Sequence, residues 1–158
     1  MEPPEFIIDE PEYHLDDIPD DGDDDRRARL ARAHIGLFAK WVIVRDLMAY
    51  DDPAAPAPDE VSAMEKVKSG EMTGSQYVNA IGDDRFHSDF VKPVAKDFVI
   101  GYYHQYLLEL ESIIGRREYE YLEEEVDFSL VSRHLDEAYA AFMMRPKSRS
   151  TLMTRLFG

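Results

Sequence analysis

The residue type in this sequence with the widest chemical use is histidine. There are five: His14, His34, His87, His104 and His134. A metal centre in a helical bundle needs a histidine with a second histidine or a carboxylate three or four residues away, on more than one helix. The nearest match is Asp84 with His87, in a segment that we interpret as a loop. We therefore predict no bound metal and no cofactor, and we expect His34 to be a hydrogen-bonded core residue.

Other catalytic groups are also missing from the sequence. It has no cysteine, no G-x-S-x-G motif and no glycine array of the kind that binds phosphates. These absences argue against an enzyme. One enzymatic alternative stays open, a small hydrolase or metal-dependent enzyme that uses Asp84, His87 and a carboxylate from residues 123–125.

The element that must position these side chains is the apolar stretch at residues 31–48, which contains the only tryptophan. Its apolar residues recur every three or four positions and cover more than half of a helix, so other helices must surround it. We predict an all-α, compact, single-domain bundle of about five helices. The predicted core is His34, Leu37, Phe38, Trp41, Phe98, Leu107, Leu135 and Phe142.

Four further helices follow from periodicity and capping signals. We expect them at residues 59–68, from Thr73, from Phe90 to about Gly115 with Asp89 as N-cap, and from residue 127 or 129 onward. Residues 116–126 are charged, and the sequence indicates no definite structure for them.

Charge divides the chain into three parts. Residues 1–25 hold twelve acidic residues and no Lys or Arg, whereas residues 145–158 hold four basic residues and no acid. Because residues 1–25 also contain four prolines, we predict an acidic irregular N-terminal arm at 1–25, a helical domain at 26–144 and a basic tail at 145–158. Asp23 to Asp25 are well placed to cap the central helix.

The net charge of −15 excludes some partners and favours others. Direct binding of nucleic acid needs a basic face, which the acidic body lacks. The sequence has no secretory signal and no stretch near the ~20 apolar residues of a membrane span, so we expect a cytoplasmic protein without membrane contact.

An acidic surface is suited to a basic protein partner, because it steers association electrostatically. Tyrosines can add buried anchors at such an interface. The predicted partner-binding residues are Asp16, Asp17, Asp20, Asp21, Asp23, Asp24, Asp25, Tyr102, Tyr103 and Tyr106.

The central helix also carries a resemblance to a known group of proteins. The run from Ala31 to Trp41 resembles the A-x-x-H-I-G-[ML]-F-x-x-W helix of an uncharacterised family of small bacterial helical proteins. The blocks at residues 72–78, 98–107 and 127–136 look similar to it as well. The chain departs in having Tyr13 where the family has tryptophan before a histidine, and in its basic tail.

Such families resemble the immunity proteins encoded beside bacterial secreted toxins. The resemblance implies a non-enzymatic protein that binds and neutralises a cognate toxin, for example a nuclease. It implies no catalytic residue. A second alternative is an adaptor or structural protein that binds its partners through the acidic arm and the basic tail.

Overall fold

The computed structural model describes residues 7–145. Five α-helices make up most of this part: α1 Asp24–Val44, α2 Pro58–Ser69, α3 Gly74–Ala80, α4 Pro93–Ile114 and α5 Phe128–Met143. Short 3-10 helices lie at Pro11–Asp17, Ser88–Phe90 and Glu123–Glu125. The strands β1 Ile7–Asp9 and β2 Phe86–His87 form a small antiparallel sheet. The predicted all-α bundle is confirmed.

Helix α1 is the centre of the fold, as its apolar pattern predicts. The Asp23 side chain accepts a hydrogen bond from the Arg26 N–H at 3.0 Å and so caps the helix. Every residue from Ala33 to Ala39 is buried, so α1 is covered on all sides in its middle turns. Helices α2, α3 and α5 and two of the 3-10 helices pack against it.

Two glycines allow α1 and α3 to approach closely. A Cβ atom on Gly74 would collide with the carbonyl of Gly36, and a Cβ atom on Gly36 would collide with Ser75 and the Glu123 carboxylate. The Thr73 hydroxyl accepts from the Gln76 N–H, while the Gln76 side chain accepts from the Thr73 N–H, so a reciprocal capping box begins α3 at this contact. The glycine in the H-I-G run therefore has a packing function.

Aromatic side chains fill the space between α1, α4 and α5. Trp41 is fully buried, and its ring meets those of Phe38, Phe98 and Tyr139 at centroid distances of 5.7 to 5.9 Å. Its indole N–H donates to Asp136 on α5 at 2.9 Å. The predicted core is confirmed for its buried members, His34, Leu37, Phe38, Trp41, Phe98 and Leu135, whereas Leu107 and Phe142 are partly buried at its edge.

Part of the segment that we predicted to be irregular is ordered. Strand β1 pairs with β2, and the 3-10 helix Pro11–Asp17 packs on α1. The Arg27 guanidinium holds this helix by donating to the backbone carbonyls of Leu15 and Ile18. Residues 7–25 are thus part of the bundle. Residues 1–6 and all but the first residue of the predicted basic tail lie outside the described residues.

Two helix boundaries differ from the prediction. Helix α1 ends at Val44, four residues before Met48, because Asp46 adopts a positive φ of 58° and turns the chain. Met48 still reaches the core through a bridge to Val91. Helix α4 begins at Pro93 with Lys92 as N-cap, so Asp89 is not its cap; proline is well suited to the first helical position.

Candidate functional site

The most concentrated set of chemically capable side chains joins the N-terminal segment to α1. Asp9 ends β1, His14 lies on the 3-10 helix and His34 lies in the middle of α1. Within residues 7–145 this is the only group of three or more histidine and carboxylate side chains whose ligand atoms all lie within 4.8 Å of one another. We call it the Asp9–His14–His34 cluster.

The cluster is compact and largely enclosed. His14 Nε2 lies 2.6 Å from one Asp9 carboxylate oxygen, and His34 Nε2 lies 3.0 Å from the other. The two Nε2 atoms are 3.1 Å apart. Asp9 and His34 are 3% and 2% exposed, and His14 is only partly accessible. An ionised carboxylate at this depth requires several polar partners.

Neighbouring groups supply those partners. The Tyr103 hydroxyl donates to Asp9 Oδ2 at 2.7 Å, and the Glu10 N–H donates to Asp9 Oδ1 at 2.8 Å. The Tyr119 hydroxyl is hydrogen-bonded to His14 Nδ1, and the Tyr106 hydroxyl donates to the His34 carbonyl at 2.6 Å. Each member of the cluster is therefore held in place by at least one tyrosine.

The electrostatics follow from these contacts. Burial alone would raise the pKa of Asp9, but hydrogen bonds from His14, His34 and Tyr103 outweigh it and hold that pKa well below its usual range. Burial alone would lower the pKa of His14, but the Asp9 carboxylate outweighs it and raises that pKa above its usual value. Asp9 is thus an anionic centre inside the bundle.

The structure does not bring together the residues of the predicted metal-enzyme alternative. Asp84 forms a two-contact ion pair with Arg32 at 2.6 and 3.2 Å. Glu123 accepts from the Gly74 and Ser75 N–H groups at 2.7 and 2.8 Å. Burial raises the pKa of Glu123 despite these bonds. Both carboxylates are used to pack elements together, and neither joins His87 in a converging group among residues 7–145.

For two of the predicted partner-binding tyrosines the prediction is wrong, because they lie in the core. Tyr103 and Tyr106 are 5% and 0% exposed, since both point from α4 toward α1. Their hydroxyls serve the Asp9–His14–His34 cluster, so they are unavailable to a partner on the folded surface. Tyr102 is partly buried and its hydroxyl contacts His134 and Glu109.

The predicted acidic residues form a second candidate site, this one on the surface. All seven are exposed: Asp16, Asp17, Asp20, Asp21, Asp23, Asp24 and Asp25. Among residues 7–145, none of them forms an ion pair with a Lys or Arg side chain. We call these seven residues the acidic segment. Tyr13, on the same 3-10 helix as Asp16, is 59% exposed.

Sequence reasoning missed the cluster, although it singled out two of its members. His34 stood out on the apolar face of α1, and His14 belongs to an aromatic-histidine pair in the family resemblance. Asp9 is one of twelve acids in residues 1–25, and no local pattern distinguishes it. The pairing of β1 with β2, across more than seventy residues, places it.

The fold and the cluster together define a small helical-bundle protein whose N-terminal segment is joined to a central helix by buried polar side chains. The family model described as "Domain of unknown function (DUF7832)" matches residues 7–122. The chain belongs to this family. The matched range contains the whole cluster and its four hydrogen-bonding partners, which are Tyr103, Tyr106, Tyr119 and the Glu10 N–H. No curated protein and no solved structure matches the chain. No helix in residues 7–145 has both the length and the apolar character to cross a membrane.

Proposed function

We propose that this protein is a cytoplasmic, non-enzymatic immunity protein that binds and neutralises a cognate toxin with a basic surface. The observation that carries the proposal is the acidic segment, in which seven exposed carboxylates within ten consecutive residues lack a cationic partner among residues 7–145. The like charges of such a surface repel one another, so covering it with a cationic surface lowers the free energy.

The attachment of this segment to the bundle supports the proposal. Ile18 is buried, and Arg27 ties the carbonyls on either side of Asp16 and Asp17 to α1. Asp23, Asp24 and Asp25 are fixed at the start of α1. A charged surface that is already ordered loses little conformational entropy when it binds, so more of the interaction energy appears as affinity.

Tyr13 supplies the apolar element that an interface needs. Binding energy concentrates in a few side chains that lose their water, and tyrosine is among the commonest of these. Tyr13 is exposed beside the acidic segment, whereas Tyr103 and Tyr106 are core residues. We therefore assign the anchoring function to Tyr13 and the steering function to the carboxylates. A nuclease domain, whose groove must attract phosphates, is a suitable basic partner.

The experiment uses the product of the reading frame beside this gene. If that product is a toxin, co-expression with this protein should restore growth, and the two purified proteins should form a stoichiometric complex. The Tyr13→Ala variant should dissociate faster, with a smaller change in association rate. Growth arrest that co-expression leaves unrelieved, with no complex, would contradict the proposal.

A further inference from the structure

Three potential ligand atoms meet at one point inside the N-terminal half of the bundle. They belong to His14, His34 and Asp9: His14 Nε2 lies 2.6 Å from Asp9 Oδ1, His34 Nε2 lies 3.0 Å from Asp9 Oδ2, and the two Nε2 atoms are 3.1 Å apart. Tetrahedral Zn²⁺ with bonds of about 2.0 Å holds its ligand atoms roughly 3.3 Å apart, which is close to the spacing of these atoms. Small movements of the ligands would therefore complete the coordination.

The short distance between the two imidazoles favours a cation at this point. If both Nε2 atoms carry hydrogen, each can donate to its own Asp9 oxygen, but two N–H groups then lie 3.1 Å apart; if one does not, its lone pair points into the cluster. Asp9 is an acceptor on both oxygens, because Tyr103 and Glu10 already donate to them. A cation satisfies three acceptors at once, whereas a single proton satisfies two.

The groups behind the ligands have the arrangement that metal sites need. Ligating histidines are usually oriented by a hydrogen bond to the other ring nitrogen, and Tyr119 makes that bond to His14 Nδ1. Tyr119 holds this position with a positive φ of 63°, a costly conformation for a bulky residue. Tyr103 fixes the Asp9 carboxylate in the same way.

We propose that Asp9, His14 and His34 bind one divalent transition-metal ion of the Zn²⁺ class. Two imidazoles with one carboxylate suit Zn²⁺ and its neighbours, while Mg²⁺ and Ca²⁺ prefer sites made of oxygen ligands. Asp9 also lines a surface cavity of about 220 Å³ with Ile8, Ile100 and His104, so the carboxylate side of the cluster borders solvent-accessible space.

The site has a structural consequence that goes beyond the proposed inhibitor function. Its ligands come from β1, the 3-10 helix and α1, so one ion would join all three elements. The acidic segment lies between His14 and His34 in the chain. Metal binding therefore fixes the N-terminal segment to α1 on both sides of the acidic segment.

The test is calorimetric titration of the full-length protein, first stripped with a chelator, with ZnCl₂ and separately with CoCl₂. The wild type should bind one equivalent, and Co²⁺ should give visible absorption bands typical of nitrogen and oxygen ligands. His14→Gln should remove this binding. Tyr119→Phe keeps all three ligands and should weaken affinity by ~10–100-fold, as expected for an outer partner.

His134→Gln is the matched control, because His134 lies on α5, outside both the cluster and the cavity that Asp9 lines. It should bind like the wild type. His14 is the ligand least involved in the core, so its variant should fold, and far-UV circular dichroism checks this. A wild type that binds neither ion, or a His14→Gln variant that binds as tightly as His134→Gln, would overturn the proposal and leave a purely hydrogen-bonded cluster.

Discussion

Replacing Trp41 with alanine tests the organising role of α1. The side chain is fully buried, packs against three aromatic rings and donates to Asp136. Removing a buried tryptophan costs about 3–5 kcal/mol through lost burial and the cavity left behind. This is a large part of the 5–15 kcal/mol that holds a typical domain folded. At roughly 2–4 °C per kcal/mol, the melting temperature should fall by about 6–20 °C.

Two further variants separate packing from hydrogen bonding. Trp41→Phe keeps a buried ring but loses the N–H bond and part of the ring volume, and Asp136 retains Arg45 as a partner at 2.6 and 2.7 Å. Its cost should be about 1–2 kcal/mol. Val94→Ala, at a side chain that is 59% exposed, should change stability by less than about 0.5 kcal/mol.

Urea denaturation followed by far-UV circular dichroism is the suitable assay, because the substitutions remove the only tryptophan fluorophore. The expected order of stability is Val94→Ala, then Trp41→Phe, then Trp41→Ala. A Trp41→Ala protein as stable as Val94→Ala would refute the central position of α1.

Two other predictions concern helix contacts. Gly36→Ala places a methyl group against Ser75 and Glu123 and should cost about 1–3 kcal/mol of stability. Gly101→Ala, at an exposed helical site with open space around the added Cβ, should stabilise the protein by about 0.5–1 kcal/mol. Thermal unfolding of the two variants compares these effects. The hydrogen bonds from Arg45 and Trp41 hold the pKa of Asp136 below its usual 3.8, so its stabilising effect is present above that pH and is lost as the pH falls through the lowered pKa. The difference in melting temperature between wild type and Asp136→Asn should therefore be largest near neutral pH and shrink in acid; a difference that is independent of pH would contradict this.

The helices were predictable because each carries a local signal. Periodicity located α1 and α4, Thr73 marked the start of α3, and Asp127 marked the start of α5. However, the spacing of apolar residues indicates which positions are buried as much as it indicates a helix. Met48 has the spacing of an α1 core residue, but it is buried from a loop after Asp46 has turned the chain.

The cluster was beyond local reasoning because its geometry depends on distant contacts. His14 and His34 are twenty residues apart with no helical spacing between them, and Asp9 is placed by a strand pairing. Tyr119 comes from the charged segment for which the sequence indicated no structure. Charge composition predicted exposure of the acidic segment correctly, but it also concealed Asp9, the one buried aspartate among residues 7–145.

The same limitation explains the misassigned tyrosines. A tyrosine has an apolar ring and a polar hydroxyl, so composition alone does not distinguish an interface residue from a core residue. Tyr103 and Tyr106 have buried polar partners in Asp9 and the His34 carbonyl. Tyr13, which has an exposed ring, was hidden by the proline-rich sequence around it.

Recognition of a basic partner by the acidic segment is tested most directly by the rate of association with the adjacent gene's product. Asp16, Asp17, Asp20 and Asp21 are changed together to asparagine, which keeps an acceptor oxygen for the local backbone bonds. The matched control neutralises four exposed acids elsewhere, Asp51, Asp59, Glu65 and Asp97, and so has the same net charge. Rates are measured at low and at high salt.

Electrostatic steering predicts that the first variant associates at least tenfold more slowly at low salt, and that its rate depends little on salt. The control should stay within a few-fold of the wild type at both salt concentrations. Equal slowing of the two variants would show that only the net charge matters. An unchanged association rate in the first variant would show that the acidic segment takes no part in recognition. Either result would contradict steering by the acidic segment.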